Sequence, residues 1–114
     1  MTIGIDARLY RSSAAGIGRY SQNLIKNLLK IDQKNQYILF MTPADAEEYQ
    51  KSNIKNQNVG IITVDIPHYS IAEQTKLAKI IEKEKLDLMH FTNFNHPMNY
   101  RGKFIVTIHD LTLF

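Results

Sequence analysis

Polar residues that could do chemistry follow the ends of short apolar segments along the chain. Asp6 and Arg8 follow the first of these segments, Asn93 follows the fourth, and His109 and Asp110 end the fifth. A histidine at the end of a buried strand can hydrogen-bond a substrate hydroxyl, act as a general base or satisfy a neighbouring carbonyl. The residue types alone leave these three roles of His109 open.

A glycine-rich segment is the second candidate. Gly16-Ile17-Gly18-Arg19-Tyr20 opens a helical pattern after a loop of small and polar residues. Glycines at a helix N-terminus let backbone N–H groups approach an anion, and the helix dipole favours phosphate there. The alternative is that Gly16 and Gly18 permit a tight turn and close packing of the helix on a sheet. Both interpretations stay open at this point.

Several common chemistries are disfavoured by the motifs. The dinucleotide fingerprint fails because Ser21 occupies the position of its last glycine. The chain has no Gly-Lys-Ser/Thr loop, no Gly-x-Ser-x-Gly elbow and no cysteine, and its four histidines lack the spacing of metal ligands. We therefore predict no metal site, and we interpret His90 as a hydrogen-bonded histidine of a strand. A receiver-like signalling domain is also disfavoured, because the chain lacks an aspartate at the end of strand three combined with a lysine after strand five.

Composition indicates one globular domain. The chain has 114 residues, of which 44% are hydrophobic and 22% are charged, and a net charge of +3. Its lysines alternate with acidic and amide residues, as on solvated helix faces, and the modest charge gives no reason to expect a nucleic-acid partner. A peripheral contact of the basic first helix with the inner face of a membrane is the alternative. The absence of cysteine fits a cytoplasmic protein.

Strand and helix patterns alternate along the chain. Predicted strands cover residues 2–7, 37–41, 59–66, 86–92 and 104–109, and predicted helices cover 16–31, 43 to about 55, and 70 to about 85. The first helix carries an apolar stripe at three-to-four-residue spacing, made of Ile17, Tyr20, Leu24, Leu28 and Ile31. N-cap spacing is present in Thr42 with Asp45 and in Ser70 with Glu73. We predict a doubly wound, Rossmann-like α/β domain whose parallel sheet binds ligands at its carboxyl ends.

Four segments together resemble the N-terminal domain of family-4 retaining glycosyltransferases of the GT-B fold. They cover residues 3–8, 16–20, 90–97 and 104–111, and their order and spacing agree across essentially the whole chain. The resemblance implies transfer of a sugar, mannosyl or rhamnosyl in type, from a nucleotide-diphosphate sugar to a glycan or lipid-linked acceptor. The anomeric configuration would be retained, with no metal and no cofactor besides the donor substrate.

The resemblance also implies roles for particular residues. In that family a glycine-rich loop faces the donor diphosphate, which here corresponds to Gly16, Ile17 and Gly18. The family's strand-five histidine corresponds to His109, which would be the catalytic residue beside the donor sugar. Residues that would lie in the acceptor cleft are Arg8, Tyr20, Asn93, Asn95, His96 and Asp110. Ala15 stands where many relatives carry a further glycine.

The same resemblance implies a second wall of the cleft. In the family a C-terminal domain supplies the nucleotide pocket, and no segment of this sequence is similar to it. We therefore expect residues 1–114 to form a single, partial N-terminal domain that needs the C-terminal domain or a complementary subunit for activity. The alternative is a non-catalytic α/β binding module that pairs with another subunit through its last strand.

Overall fold

Strands and helices alternate in the structure as the sequence predicts. The structure is a computed structural model that describes residues 1–11, 15–52, 58–66, 73–93 and 96–107. Its strands are β1 (Thr2–Asp6), β2 (Gln36–Met41), β3 (Val59–Thr63), β4 (Leu88–Phe91) and β5 (Phe104–Val106). Its helices are α1 (Ala15–Ile31), α2 (Pro43–Lys51) and α3 (Ala78–Lys83), and a π-helical turn at Glu73–Leu77 leads into α3.

The five strands form one sheet in which every neighbouring pair is parallel, in the order β3-β2-β1-β4-β5. This confirms the predicted α/β class with a Rossmann-like parallel sheet. The chain first moves outward from β1 to β2 and β3, then returns to the other side of β1 for β4 and β5. The topological switch point therefore lies between β1 and β4, which is where open parallel sheets bind ligands.

One face of the sheet packs against α1 and α2. Ile25 of α1 and Tyr49 of α2 are buried with Ile5 of β1 and Leu39 of β2 in one apolar cluster. Each fully buried large apolar side chain contributes roughly 1.5–3 kcal/mol to folding. Alternate strand residues supply this cluster, since successive side chains of a strand point to opposite faces.

The buried side of α1 is displaced by one position from the predicted stripe. Ile25 and Leu29 are buried, whereas Leu24 and Leu28 are half-buried and Ile31 is 79% exposed. Leu24 and Leu28 instead line a pocket together with residues of β4 and β5. The predicted helix is confirmed, and its fully buried positions lie beside the predicted stripe rather than on it.

The opposite face packs against α3 and against the connection from β4 to β5. Met89 and Phe91 of β4 are buried with Ile81 of α3 and with Tyr100. Gly4 of β1 permits this contact, because an added β-carbon would lie 2.7 Å from Met89 Sδ. A larger residue at position 4 would have to displace the side chains of Leu86 and Met89.

Element boundaries differ from the predictions where neighbouring strands end. β3 ends at Thr63 rather than at residue 66, because the last residue of β2, Met41, pairs with Thr63. β4 begins at Leu88 rather than at residue 86, since Leu88 pairs with Ile3 near the start of β1. α2 ends at Lys51, about four residues earlier than predicted. No helix within the described ranges is both long and apolar enough to cross a membrane.

Candidate functional site

A buried ion network lies at the carboxyl end of β1. The guanidinium of Arg8 donates from Nε to Asp6 Oδ1 at 2.9 Å and from Nη2 to Asp6 Oδ2 at 2.8 Å. Nη2 also lies 2.7 Å from Oε2 of Glu73, in the π-helical turn. All three side chains are at most 2% exposed. The network thus joins β1 to the element that leads into α3.

The charges of this network stabilise one another. Burial opposes ionisation of Arg8, but the carboxylates of Asp6 and Glu73 outweigh it and raise the pKa of the guanidinium. Burying ions costs several kcal/mol each, so such a network adds little to stability relative to an apolar core. What it does supply is a fixed geometry at the strand ends.

A hydrogen bond across the switch point ties β4 to β1. Thr92 follows β4 and donates from Oγ1 to the carbonyl of Asp6 at 2.6 Å. Asn93, a predicted cleft residue, is next in the chain and is 6% exposed. The backbone at the ends of β1 and β4 is therefore held together at the site where the topology predicts a ligand crevice.

The segment after β1 is also fixed to α2. Thr42 caps α2, because its Oγ1 accepts from the backbone N–H of Asp45. The Asp45 carboxylate in turn accepts from the backbone N–H of Thr42 at 3.2 Å and from that of Arg11 at 2.9 Å. Arg11 Nη1 lies 3.1 Å from the same carboxylate, which is fully buried. The predicted N-cap pair Thr42 and Asp45 is confirmed, and Asp45 additionally holds the start of the loop between β1 and α1.

The glycine-rich segment begins α1. Gly16 is exposed, and a β-carbon placed on it would meet no atom within 4 Å. No described glycine has a positive φ, so neither packing nor backbone conformation requires glycine at this position. Ile17 is half-buried and Gly18 is buried, so Gly16 is the one of the three whose backbone is most open to a ligand.

Tyr20 takes part in a polar cluster that sequence reasoning did not anticipate. Its hydroxyl hydrogen-bonds with Thr107 Oγ1 at 2.9 Å, and His90 Nε2 hydrogen-bonds with the same oxygen at 2.7 Å. Burial lowers the pKa of His90, and the negative charge of Asp6 offsets part of this effect. The prediction that His90 is hydrogen-bonded is confirmed. Because Thr107 directly follows β5, this contact brings the first turns of α1 to the carboxyl edge of the sheet.

His96 lies in an aromatic cluster on the α3 face. Its ring stacks on Phe91 with centroids 5.1 Å apart and is tilted against Phe104 at 5.3 Å. Tyr100 meets Phe91 edge-to-face at 5.7 Å. These rings cover the sheet where the connection from β4 to β5 has no described helix, so packing accounts for the position of His96.

The structure brings together some predicted site residues and leaves others undescribed. Arg8, Tyr20 and Asn93 lie at the carboxyl edge, with Arg8 engaged by carboxylates on two sides. The predicted catalytic residue His109, its neighbour Asp110, and Asn95 lie outside the described residues, as does Ser70 of the predicted second N-cap pair. Their assigned roles stay predictions.

Four residues of the site were missed as site residues by sequence reasoning, namely Glu73, Asp45, Arg11 and Thr107. Glu73 and Asp45 were interpreted through local cap spacing alone, although both also bind arginines distant in the chain. No cluster of three or more His, Asp or Glu side chains that could hold a metal occurs among the described residues.

Comparison of the chain with protein-family models, with curated proteins and with solved structures gives no match. A parallel α/β fold supports many unrelated activities, so function has to be inferred from the site.

Proposed function

We propose that this chain forms the acceptor-side wall of the cleft of a retaining glycosyltransferase of the GT-B architecture. The donor would be a nucleotide-diphosphate sugar, and the acceptor a glycan or a lipid-linked saccharide. The first turn of α1 would face the diphosphate, with His109 beside the donor sugar. A donor-binding domain or a complementary subunit would supply the opposite wall.

The observation that carries this proposal is the open backbone at Gly16. Nothing in the packing or in the backbone conformation of α1 calls for glycine there. A side chain at Gly16 would, however, occupy the space that a ligand needs to approach the N–H groups of the first helical turn. Phosphate groups are the ligands that helix N-termini favour.

The ion network supports the same proposal. Transition-state stabilisation depends on groups held in place before the reaction, and displacement by about 1 Å costs about 100-fold in rate. Asp6, Arg8 and Glu73 hold the ends of β1 and the start of α3, and Thr92 adds the end of β4. In this proposal Arg8 is a positioning residue.

Substitution of Gly16 by alanine tests the proposal. Because alanine is a better helix former, we expect Gly16→Ala to leave the free energy of unfolding unchanged or raise it by up to about 1 kcal/mol. The affinity for UDP- or GDP-sugars, measured by calorimetry together with a donor-binding half, should fall. Gly60→Ala is the matched control, since Gly60 is also exposed without a neighbour within 4 Å and lies on the edge strand β3.

Equal nucleotide-sugar affinity for the wild type, Gly16→Ala and Gly60→Ala would count against a diphosphate contact at Gly16. Gly16 would then be an exposed glycine of α1 with neither a ligand contact nor a packing role.

A second function is favoured by the apolar surface beside β5. Ile105 of β5 is 50% exposed and Ile31 of α1 is 79% exposed, with Leu24, Leu28 and Leu88 half-buried near them. Exposed apolar patches of this kind mark interaction sites. A non-catalytic module pairing through β5 would use this surface and would bind no nucleotide sugar.

A further inference from the structure

A groove lies at the carboxyl edge on the side of β1 away from the switch point. It is lined by three segments that follow β1, β2 and β3, with Leu9, Arg11, Pro43, Ala44, Asp65 and Ile66. Its volume of about 640 Å³ falls within the range of roughly 300–1,000 Å³ that small-molecule sites occupy.

Both sides of the groove are held in place by buried groups. Arg8 Nη1 donates to the carbonyl of Ile66 at 3.2 Å, which fixes the segment after β3. Arg11 Nη1 donates to Asp45 and, at 2.9 Å, to the carbonyl of Arg8, which fixes the segment after β1. The groove is therefore shaped before any ligand enters, which lowers the entropic cost of binding.

The polar groups facing the groove have capacity left for a ligand. Arg11 is 34% exposed and uses Nη1 for its contacts, so Nε and Nη2 have no partner within the described ranges. Asp65 is exposed and has no hydrogen bond or ion pair to any described residue. Leu9, Pro43 and Ala44 supply apolar surface between them.

The charge around the groove disfavours an anion. Two arginines, Arg8 and Arg11, are outnumbered by four carboxylates, Asp6, Asp45, Asp65 and Glu73, which leaves a formal charge of −2. The chain as a whole carries +3. In the first turn of α2, Pro43 has no N–H and the N–H of Asp45 already donates to Thr42 Oγ1, so this helix end offers an anion few donors. A phosphate or carboxylate would therefore be repelled.

We propose that this groove binds a neutral saccharide ring between Arg11 and Asp65. Ring hydroxyls would accept from the guanidinium and donate to the carboxylate, in charge-assisted hydrogen bonds. The C–H surface of the ring would pack on Pro43 and Ala44. As an acceptor subsite this rests on the proposed function, and it would lie about 10 Å, two strand spacings, from the switch point.

The test is an NMR titration of the full chain with neutral methyl hexosides, with inorganic phosphate and methylammonium as charged probes. We expect saturable shifts at groove amides with at least one hexoside. Asp65→Asn should weaken that binding about tenfold, as expected for loss of one charge-assisted hydrogen bond. The matched control is Glu47→Gln, which removes an exposed carboxylate of α2 paired with Lys51 and should leave hexoside binding unchanged.

Arg11→Lys keeps the charge beside Asp45 but loses the planar guanidinium, and it should also weaken hexoside binding. The proposal is overturned if no hexoside gives saturable shifts, if Asp65→Asn binds as wild type does, or if phosphate or methylammonium binds more tightly. Nucleotide-sugar binding is measured separately, in a mixture of the chain with the donor-binding half. Nucleotide-sugar binding without hexoside binding would reject the groove as a saccharide site and keep the proposed function. Hexoside binding without nucleotide-sugar binding would reject the proposed function and keep the groove as a saccharide site.

Discussion

The two edges of the sheet both carry carboxylates, but they use them differently. At the amino edge Asp32 accepts from the N–H groups of Lys34 and Asn35 and from the Tyr37 hydroxyl at 2.6 Å. These hydrogen bonds, that of Tyr37 foremost, hold the pKa of Asp32 well below its ordinary value. At the carboxyl edge, Asp6 and Glu73 are buried around Arg8.

The carboxylate at the amino edge and the carboxylates at the carboxyl edge have different explanations. The contacts of Asp32 shape the turn between α1 and β2, so local geometry accounts for them. The carboxyl edge instead buries several charges at a desolvation cost that a parallel sheet does not require. Open parallel sheets bind ligands at the carboxyl ends of their strands, which is why we place the site at this edge.

The largest effect is expected from Arg8→Met. Removing the guanidinium leaves Asp6 and Glu73 buried without a counter-charge, so the free energy of unfolding should fall by about 3–5 kcal/mol. Denaturant titration measures this loss. Arg101→Met is the matched control, because Arg101 is exposed and should change stability by less than about 0.5 kcal/mol.

Adding Glu73→Gln to Arg8→Met should recover part of the loss, since it removes one of the two uncompensated charges. Additive effects of the two substitutions would show that the network is not energetically coupled.

A smaller effect is expected from Thr92→Val. The substitution keeps the shape of the side chain but removes the hydrogen bond to the carbonyl of Asp6. We expect a loss of about 1–2 kcal/mol in thermal or denaturant unfolding, because a buried carbonyl loses a partner. A change near zero would mean that the switch point is not held by this bond.

Acid should weaken the protein through His90. Because burial lowers the pKa of His90 in the folded state, the folded protein favours the neutral imidazole. The contribution of the neutral form to stability is therefore complete above the ordinary pKa of 6.5. This contribution to stability should be lost as the pH falls from 6.5 through the lowered pKa of His90. His90→Gln should flatten stability against pH in this window, and an unchanged slope would assign the acid sensitivity to other groups.

The smallest effect is expected at the amino edge, in alkali. Burial and the neighbouring Asp32 raise the pKa of Tyr37 to about 12. Its contribution to stability should be complete below its ordinary pKa of 10.0 and should disappear as the pH approaches 12. Tyr37→Phe should remove this pH dependence and leave nucleotide-sugar binding unchanged. Altered binding would contradict the contrast between the two edges.

Local signals in the sequence predicted the fold well, but they did not predict contacts between segments that are distant in the chain. The capping of α2 by Thr42 and Asp45 was predictable because both residues lie within one turn. The second role of Asp45, binding Arg11, depends on how the loop after β1 meets α2. Glu73 was interpreted as a cap residue, and its contact with Arg8 depends on tertiary packing and on a π-helical turn that no sequence pattern indicated.

In the function that we propose, the carboxyl edge contributes one wall of a nucleotide-sugar cleft. Calorimetric titration of the chain with UDP- and GDP-sugars, with and without a separately produced donor-binding half, tests it most directly. We expect binding heat only when both halves are present, with lower affinity for Gly16→Ala. Absence of binding in both mixtures, from a chain shown by circular dichroism to be folded, would contradict it and favour the non-catalytic module.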